Sequence, residues 1–505
     1  MKKSKFFFFL FLFIGLLSVS GQDSLRLFPR ISNQYDEERL HMKNYDYNPA
    51  NMPDYSSVSM SEFRVDYQSD KQKNYLRQMG SGDNGIRLKT NSYKKLKSNN
   101  VVWGNASYSS MTRKNLRYNE NLDLDRIAPY VTLDSVGGDL HLENYHFSGG
   151  YGKKTDRLSF GLSGSYDAQM AYRSRDPRLR STTSDLLLAA GINYKVYRDY
   201  QVGIFGEFNK YTQNSTVNFV NQVSYPIVYQ SVGFGYMNYL FNNSFKTQYE
   251  EFGYKLGGQI SGKNGKDFYI TGTLSGSNNT KSIYPKNGNR YYDSSDLESK
   301  ISQIEAAKFI TLKNSRIGFI LNYNANIRTG EEYGYTSNSD NMEQIFKRKA
   351  YKKEQYTTSI RGLYQLNEEN YTVTAIPFFS YEEVTERRIY PFSGQKYDSY
   401  TFGLDLDLKL EINKKQVLTL RPNYAFRNVN KAINALDINV SSGKLDWIYD
   451  DFTILTSDVT TVGALFRYDF TIQKLPSFFV SGQWENHKIR DKNNNFTSLS
   501  LGITF

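Results

Sequence analysis

The chain of 505 residues has no cysteine. Disulfides, cysteine-ligated zinc, iron–sulfur clusters, thiol nucleophiles and an acylated N-terminal cysteine are therefore excluded. Histidine is nearly absent: only His41, His141, His146 and His487 occur, which leaves metal chemistry and general-base catalysis little to work with. Proline numbers only 11. Long apolar runs are missing except for one at the extreme N-terminus, so a bundle of membrane-spanning helices is excluded.

What is present points to β structure. Tyrosine (42) and phenylalanine (33) dominate a hydrophobic fraction of only 39%, alongside 36 glycines. Aromatic residues with Gly, Asn, Ser and Thr favour strands and turns. The same aromatic load excludes intrinsic disorder. The formal charge is +12.

Lys2, Lys3 and Lys5 precede an apolar run from Phe6 to Leu17, and Val19-Ser20-Gly21 offers small residues for cleavage before Gln22. This is the three-part pattern of a secretory signal peptide, too short for a comfortable span. With no second apolar helix, an exported chain either leaves the inner membrane entirely or enters another membrane as strands.

The body reads with a period of two. Tyr400, Phe402, Leu404, Leu406, Leu408, Leu410 and Ile412 share one face; Thr401, Gly403, Asp405, Asp407, Lys409 and Glu411 share the other. Phe160 to Tyr172 and Ile317 to Arg328 repeat the pattern. Such runs exceed the about 5–6 residues of an ordinary strand. They match transmembrane barrel strands, apolar toward lipid and polar toward the lumen.

Connections alternate between short and long. Short ones fall near 97–100, 153–156, 198–199, 264–266, 313–314, 367–370, 413–415 and 475–477. Long ones fall near 69–84, 113–137, 173–183, 214–248, 279–301, 330–355, 385–398 and 429–457, with a lesser one near 490–494. Short periplasmic turns and longer extracellular loops are the barrel arrangement. The count predicts an all-β, antiparallel transmembrane barrel of 18 strands, or 16 if the weak first run, Ser61–Gln68, is not one. The expected division is a signal peptide at 1–21, a periplasmic segment or plug at 22–60, and the barrel at 61–505.

The last strand carries Leu499, Leu501, Ile503 and Phe505 on one face and Ser498, Ser500, Gly502 and Thr504 on the other. It resembles the C-terminal insertion signal of Gram-negative outer-membrane proteins, which end in Phe on an amphipathic strand. Asn48-Pro49-Ala50 resembles a short element near the mature N-terminus of several barrel families, fatty-acid-transporter-type channels among them. The chain as a whole is similar to outer-membrane barrel families of domain-of-unknown-function type. That resemblance implies fold and location, with outer-membrane lipid, lipopolysaccharide and the barrel-assembly machinery as partners, and it carries no substrate or catalytic residue.

Enzyme motifs, metal-ligand spacings and cofactor loops are missing, so no catalysis and no cofactor are expected. His141 with Glu143, and His487 with Glu485, read as lumenal pairs. Inward phases place Asp167, Arg328, Asp405, Asp407, Lys409, Glu411, Arg421, Arg467, Asp469, Glu485 and His487 in the lumen, with mixed signs that suit salt-bridge networks better than an ion-selective ring. Arg173, Arg175, Arg178 and Arg180, and Lys347, Arg348, Lys349, Lys352 and Lys353, read as basic loop runs facing lipopolysaccharide phosphate rather than nucleic acid. Two functions compete. Eighteen strands normally enclose an aqueous channel, which favours passage of a small solute. Long loops favour a platform docking another outer-membrane transporter, a secretion complex or a periplasmic protein.

Overall fold

Alternation of the kind seen at 400–412 fixes which side chains point in and which out, and 18 such strands close on themselves in the computed structural model. It describes residues 26–505 except 37–38, 40, 43, 98, 222, 224, 287, 337–340, 437–445 and 473–474; the expected signal peptide lies outside the described residues. The wall opens with β1 (Met60–Lys71), β2 (Asp83–Lys95), β3 (Asn100–Leu116), β4 (Gly138–Lys154), β5 (Leu158–Tyr172) and β6 (Arg178–Tyr197). It continues through β7 (Tyr200–Asn218), β8 (Lys246–Gly262), β9 (Phe268–Tyr284), β10 (Tyr292–Thr311), β11 (Ser315–Tyr335) and β12 (Gln344–Asn367). It ends with β13 (Tyr371–Arg388), β14 (Ser393–Asn413), β15 (Gln416–Ala435), β16 (Val459–Thr471), β17 (Ser477–Ile489) and β18 (Lys492–Thr504). Every neighbour pair is antiparallel, and β1 closes on β18 from Glu62↔Thr504 to Lys71↔Asn495. Closure leaves no free edge.

The outer face is apolar. Leu501 is 61% exposed while Ser500 beside it is 9% exposed. Val65, Leu501 and Val480 form one such outward row across β1, β18 and β17. Among the described residues no helix is long and apolar enough to cross a membrane.

All eight short links occur where the sequence places them. Several long ones do not. β12 runs for 24 residues, so β11 and β12 continue through most of 330–355, and β13 and β14 are joined by 389–392 alone. Strand hairpins rising clear of the apolar band are wet on both sides, which erases the period-two signal while the backbone ladder still satisfies itself. Accordingly Lys347, Arg348, Lys349, Lys352 and Lys353 lie on β12, and Arg178 and Arg180 on β6. They are strand residues, not loop residues.

The interior is occupied from both ends. At the short-turn end, α1 (Leu27–Gln34) and residues 44–59 cross the lumen. At the other end, connections 117–137 and 219–245 fold inward. They carry α2 (Leu124–Ile127) and a small sheet of Thr132–Leu133, Tyr229–Gly233 and Tyr236–Met237. α3 (Asp446–Leu455) lies beside them, with Trp447 stacked on Tyr118 at 4.8 Å. The buried apolar clusters therefore sit inside the barrel mouths: Leu116, Leu122, Leu140, Leu179 and Val217 under the lid, and Met42, Tyr45, Tyr269 and Phe309 around the plug.

Candidate functional site

The plug begins with α1, whose Leu27, Phe28 and Ile31 fall on one helical face and pack on Val417 of β15. Arg30 is buried and donates to the hydroxyls of Ser477 and Thr504. Tyr35 follows, donating to Glu62 of β1 and stacked by the Arg467 guanidinium at 4.4 Å. Burial pushes the Tyr35 phenol well above its ordinary range, so it stays a donor.

Asn48-Pro49-Ala50-Asn51 forms the seat. Asn48 is fully buried; its carbonyl oxygen accepts from the Ala50 amide at 2.9 Å and caps a 3-10 turn over Pro49–Asp54. Its amide donates to Asn193 at 2.7 Å, and Asn51 donates to the Tyr45 carbonyl at 2.6 Å. Gln259 of β8 donates to both Asn51 and Asn193. Gly161 makes this approach feasible: a Cβ there would run into the Pro49 carbonyl. Asp46, beside Arg39, is half-buried, and its loss of solvent raises its carboxyl to about 6 against the opposing pull of Arg39. Gly161→Val is expected to expel residues 44–54. Overpacking of this kind costs about 1–3 kcal/mol. Trypsin should then cut the purified protein at Arg39, which the wild-type chain should resist; an unchanged digest would refute the seat.

The lid is pinned by charge. Glu120 is fully buried against Arg173 at 2.7 Å; burial pushes its carboxyl well up, and Arg173 opposes the rise. Arg126 of α2 reaches Asp185 (2.6 Å), Asn209 (2.6 Å) and Glu251 (3.0 Å), and lies over the Tyr211 ring. Arg388 of β13 holds Glu332 of β11 and the Val232 carbonyl.

The inward phases fall into networks. Arg328 donates to the backbone carbonyls of Asp125 and Arg126, tying the wall to the lid. Asp167 meets His146 at 2.8 Å. Asp407 pairs with Lys409 (2.6 Å) and with Arg421, and Glu411 lies 3.8 Å from Arg26 of the plug. Arg467 is bidentate to Asp469 at 2.8 Å and reaches Glu62 at 3.0 Å. Glu485 meets His487 at 2.7 Å. His141 and Glu143 are a correction: they share the outward phase of Tyr145 and Phe147, with His141 stacked on exposed Tyr172 and Glu143 accepting from Tyr145. They sit near the outer end of β4, where a charged group on the outer face meets water.

Between plug and wall lies a cavity of about 700 Å³, floored by His41 and Asn44 and walled by β10 to β17. Gln303, Arg361, Asp405, Asn423, Gln483 and Glu485 line it. Arg361, Glu62, Tyr35 and Glu120 escape sequence reasoning, because the first is one more polar residue on an inward phase and the others owe their role to partners far along the chain. Among the described residues no group of three or more acidic or histidine side chains could hold a metal ion.

A model of a family of unknown function, DUF6850, matches residues 49–505, beginning at the plug's Pro49. No curated protein matches the chain. Among solved structures, the outer membrane transporter YddB from Escherichia coli is similar at 8% identity and a TM-score of 0.40, covering 88% of this chain and 81% of that one. The siderophore receptor PiuA from Acinetobacter baumannii is similar at 8% identity and 0.40, covering 89% and 82%. The ferric preacinetobactin receptor BauA from the same organism is similar at 9% and 0.39, covering 88% and 80%.

Proposed function

We propose that this chain, which belongs to the DUF6850 family, is an outer-membrane barrel that passes a small polar solute through a gated lumen. One observation carries the reading: a polar cavity of about 700 Å³ is held between the plug and the wall of an 18-stranded barrel. A barrel of that width has room for an aqueous path once its occupants move. The plug is fastened by hydrogen bonds from Asn48, Asn51, Arg30 and Tyr35, groups that water can serve when the segment withdraws, together with the apolar contacts of Leu27, Phe28, Ile31, Met42 and Tyr45, which hold it closed. The apolar outer face, the export pattern at residues 1–21 and the final strand Leu499, Leu501, Ile503 and Phe505 support the location. Lipopolysaccharide then meets the wet upper hairpins, and the barrel-assembly machinery receives β18.

Connections 117–137 and 219–245 turn inward, which leaves less loop for a docking platform than the sequence suggests. Passage is favoured over the platform on that ground.

Full-length protein in planar bilayers should sit closed for most of the time and open in discrete current steps. Gly161→Val, by unseating the plug, should raise the open fraction roughly tenfold, the equivalent of about 1.4 kcal/mol. A variant with trypsin-accessible Arg39 and no current would overturn the channel reading.

A further inference from the structure

We propose that the cavity between plug and wall binds a small zwitterion whose carboxylate and ammonium lie several ångströms apart, a di- or tripeptide being the simplest case. The inference rests on the gated-passage reading and names its solute class.

The inward charges divide into two kinds. Arg467, Asp469, Asp407, Lys409 and Arg421 are ion-paired within the wall, and stiffening accounts for them. Arg361 and Asp405 are different. Both line the cavity, and among the described residues neither has an ion pair within 4 Å or a side-chain hydrogen bond. They act on each other, and Arg361 on the cavity's Glu305, only through space, and a wall built only to be rigid gains little from a guanidinium and a carboxylate left without a direct contact.

Their placement gives the spacing. Arg361 is on β12 and Asp405 on β14, two strands along the wall, with Glu485 across the cavity on β17. Neighbouring strands lie ~4.8 Å apart, and the register offsets the two residues by two positions, Arg361 facing Phe378 and Asp405 facing Ile376, so their backbones are roughly 12 Å apart and the inward side chains narrow the gap. An extended peptide rises about 3.3–3.6 Å per residue, and two or three residues span that gap. Arg361 offers the planar fork that holds a carboxylate by two parallel hydrogen bonds. Asp405 and Glu485 offer acceptors for an ammonium.

The neutral lining fits the middle of such a solute. Gln303, Asn423 and Gln483 present amide donors and acceptors with no partner among the described residues, the complement of a peptide group. Among the described residues no Tyr, Phe or Trp lines the cavity, so a sugar ring finds no such face to stack on. A simple anion would meet Asp405 and Glu485, and a simple cation would meet Arg361. The volume lies within the range of about 300–1,000 Å³ usual for small-ligand sites.

The test is calorimetric titration of the full-length protein in detergent with trialanine, N-acetyl-trialanine, trialanine amide and maltose. Trialanine should bind, each singly blocked form at least tenfold more weakly, and maltose not detectably. Arg361→Gln should abolish the difference between trialanine and its amide, and Asp405→Asn the difference between trialanine and its acetyl form. Because the blocked ligands need no variant, the result stands even where a substitution fails to fold. Equal binding of blocked and free trialanine, or no binding to a folded chain, overturns the site. Binding without bilayer current keeps the site and removes passage; current without binding keeps passage and removes the site.

Discussion

Arg467→Leu should unseat α1 and cost the folded barrel about 3–5 kcal/mol, the range for breaking a buried charge pair by removing one partner. The Arg467 side chain is only 7% exposed, bidentate to Asp469 and bonded to Glu62. Its guanidinium lies 3.6 Å from the Phe479 ring centre and 4.4 Å from that of Tyr35. Leucine fills part of the apolar space and leaves two buried carboxylates with only Arg30 of the plug as a nearby cation. Tyr35 then loses the cation that stacks on it, and α1 loses its hold on the seam between β16, β17, β18 and β1. Denaturant unfolding of the purified protein should show the loss, and trypsin should reach Arg30 and Arg39. Adding Glu62→Gln and Asp469→Asn should recover much of the stability, because an uncharged pair of amides no longer requires the guanidinium. A single variant as stable and as protease-resistant as wild type would show that the network decorates the wall without fastening the plug.

That network also shows where reading the sequence stops. Period-two alternation finds β14 or β5 because one face meets an apolar surround and the other meets polar groups. It fails at the strand ends. Leu116, Leu140, Leu179 and Val217 point inward yet are apolar, since the lid packs on them, and Lys347-Arg348-Lys349 is wet on both faces. Asn48-Pro49-Ala50 is visible as an element, but its seat on Gly161 depends on a strand more than a hundred residues away. Arg467 and Glu62 are 405 residues apart and meet only because the barrel closes β18 onto β1. Arg361 shares its phase with many other polar residues; only the three-dimensional register reveals that it makes no direct ion pair among the described residues. A phase predicts the direction of a side chain, and its partner is a property of the closed sheet.

Leu501→Arg should prevent assembly, while Gln483→Arg should be tolerated. Leu501 lies on the outward row between Val65 and Val480, and β18 carries Leu499 and Ile503 in the same phase, with Phe505 just past its end. A guanidinium there enters hydrocarbon at a cost of about 2–4 kcal/mol near the midplane, falling toward the interfaces. Ser500 is the obvious inward control, but it is packed beside buried Asp66 and has no space for an arginine. Gln483, on the neighbouring strand, faces the cavity, where an added cation stays among water-accessible polar groups. Deleting Phe505 should act like Leu501→Arg, because its backbone exchanges hydrogen bonds with Ser61 and so zips the last turn of the closing seam. The folded, heat-modifiable form on a gel of isolated membranes measures assembly directly. Leu501→Arg and the deletion should leave little of it, and Gln483→Arg should match wild type. Equal folded bands for Leu501→Arg and Gln483→Arg would mean that the outer face of β18 does not meet lipid, and the membrane location would fall with it.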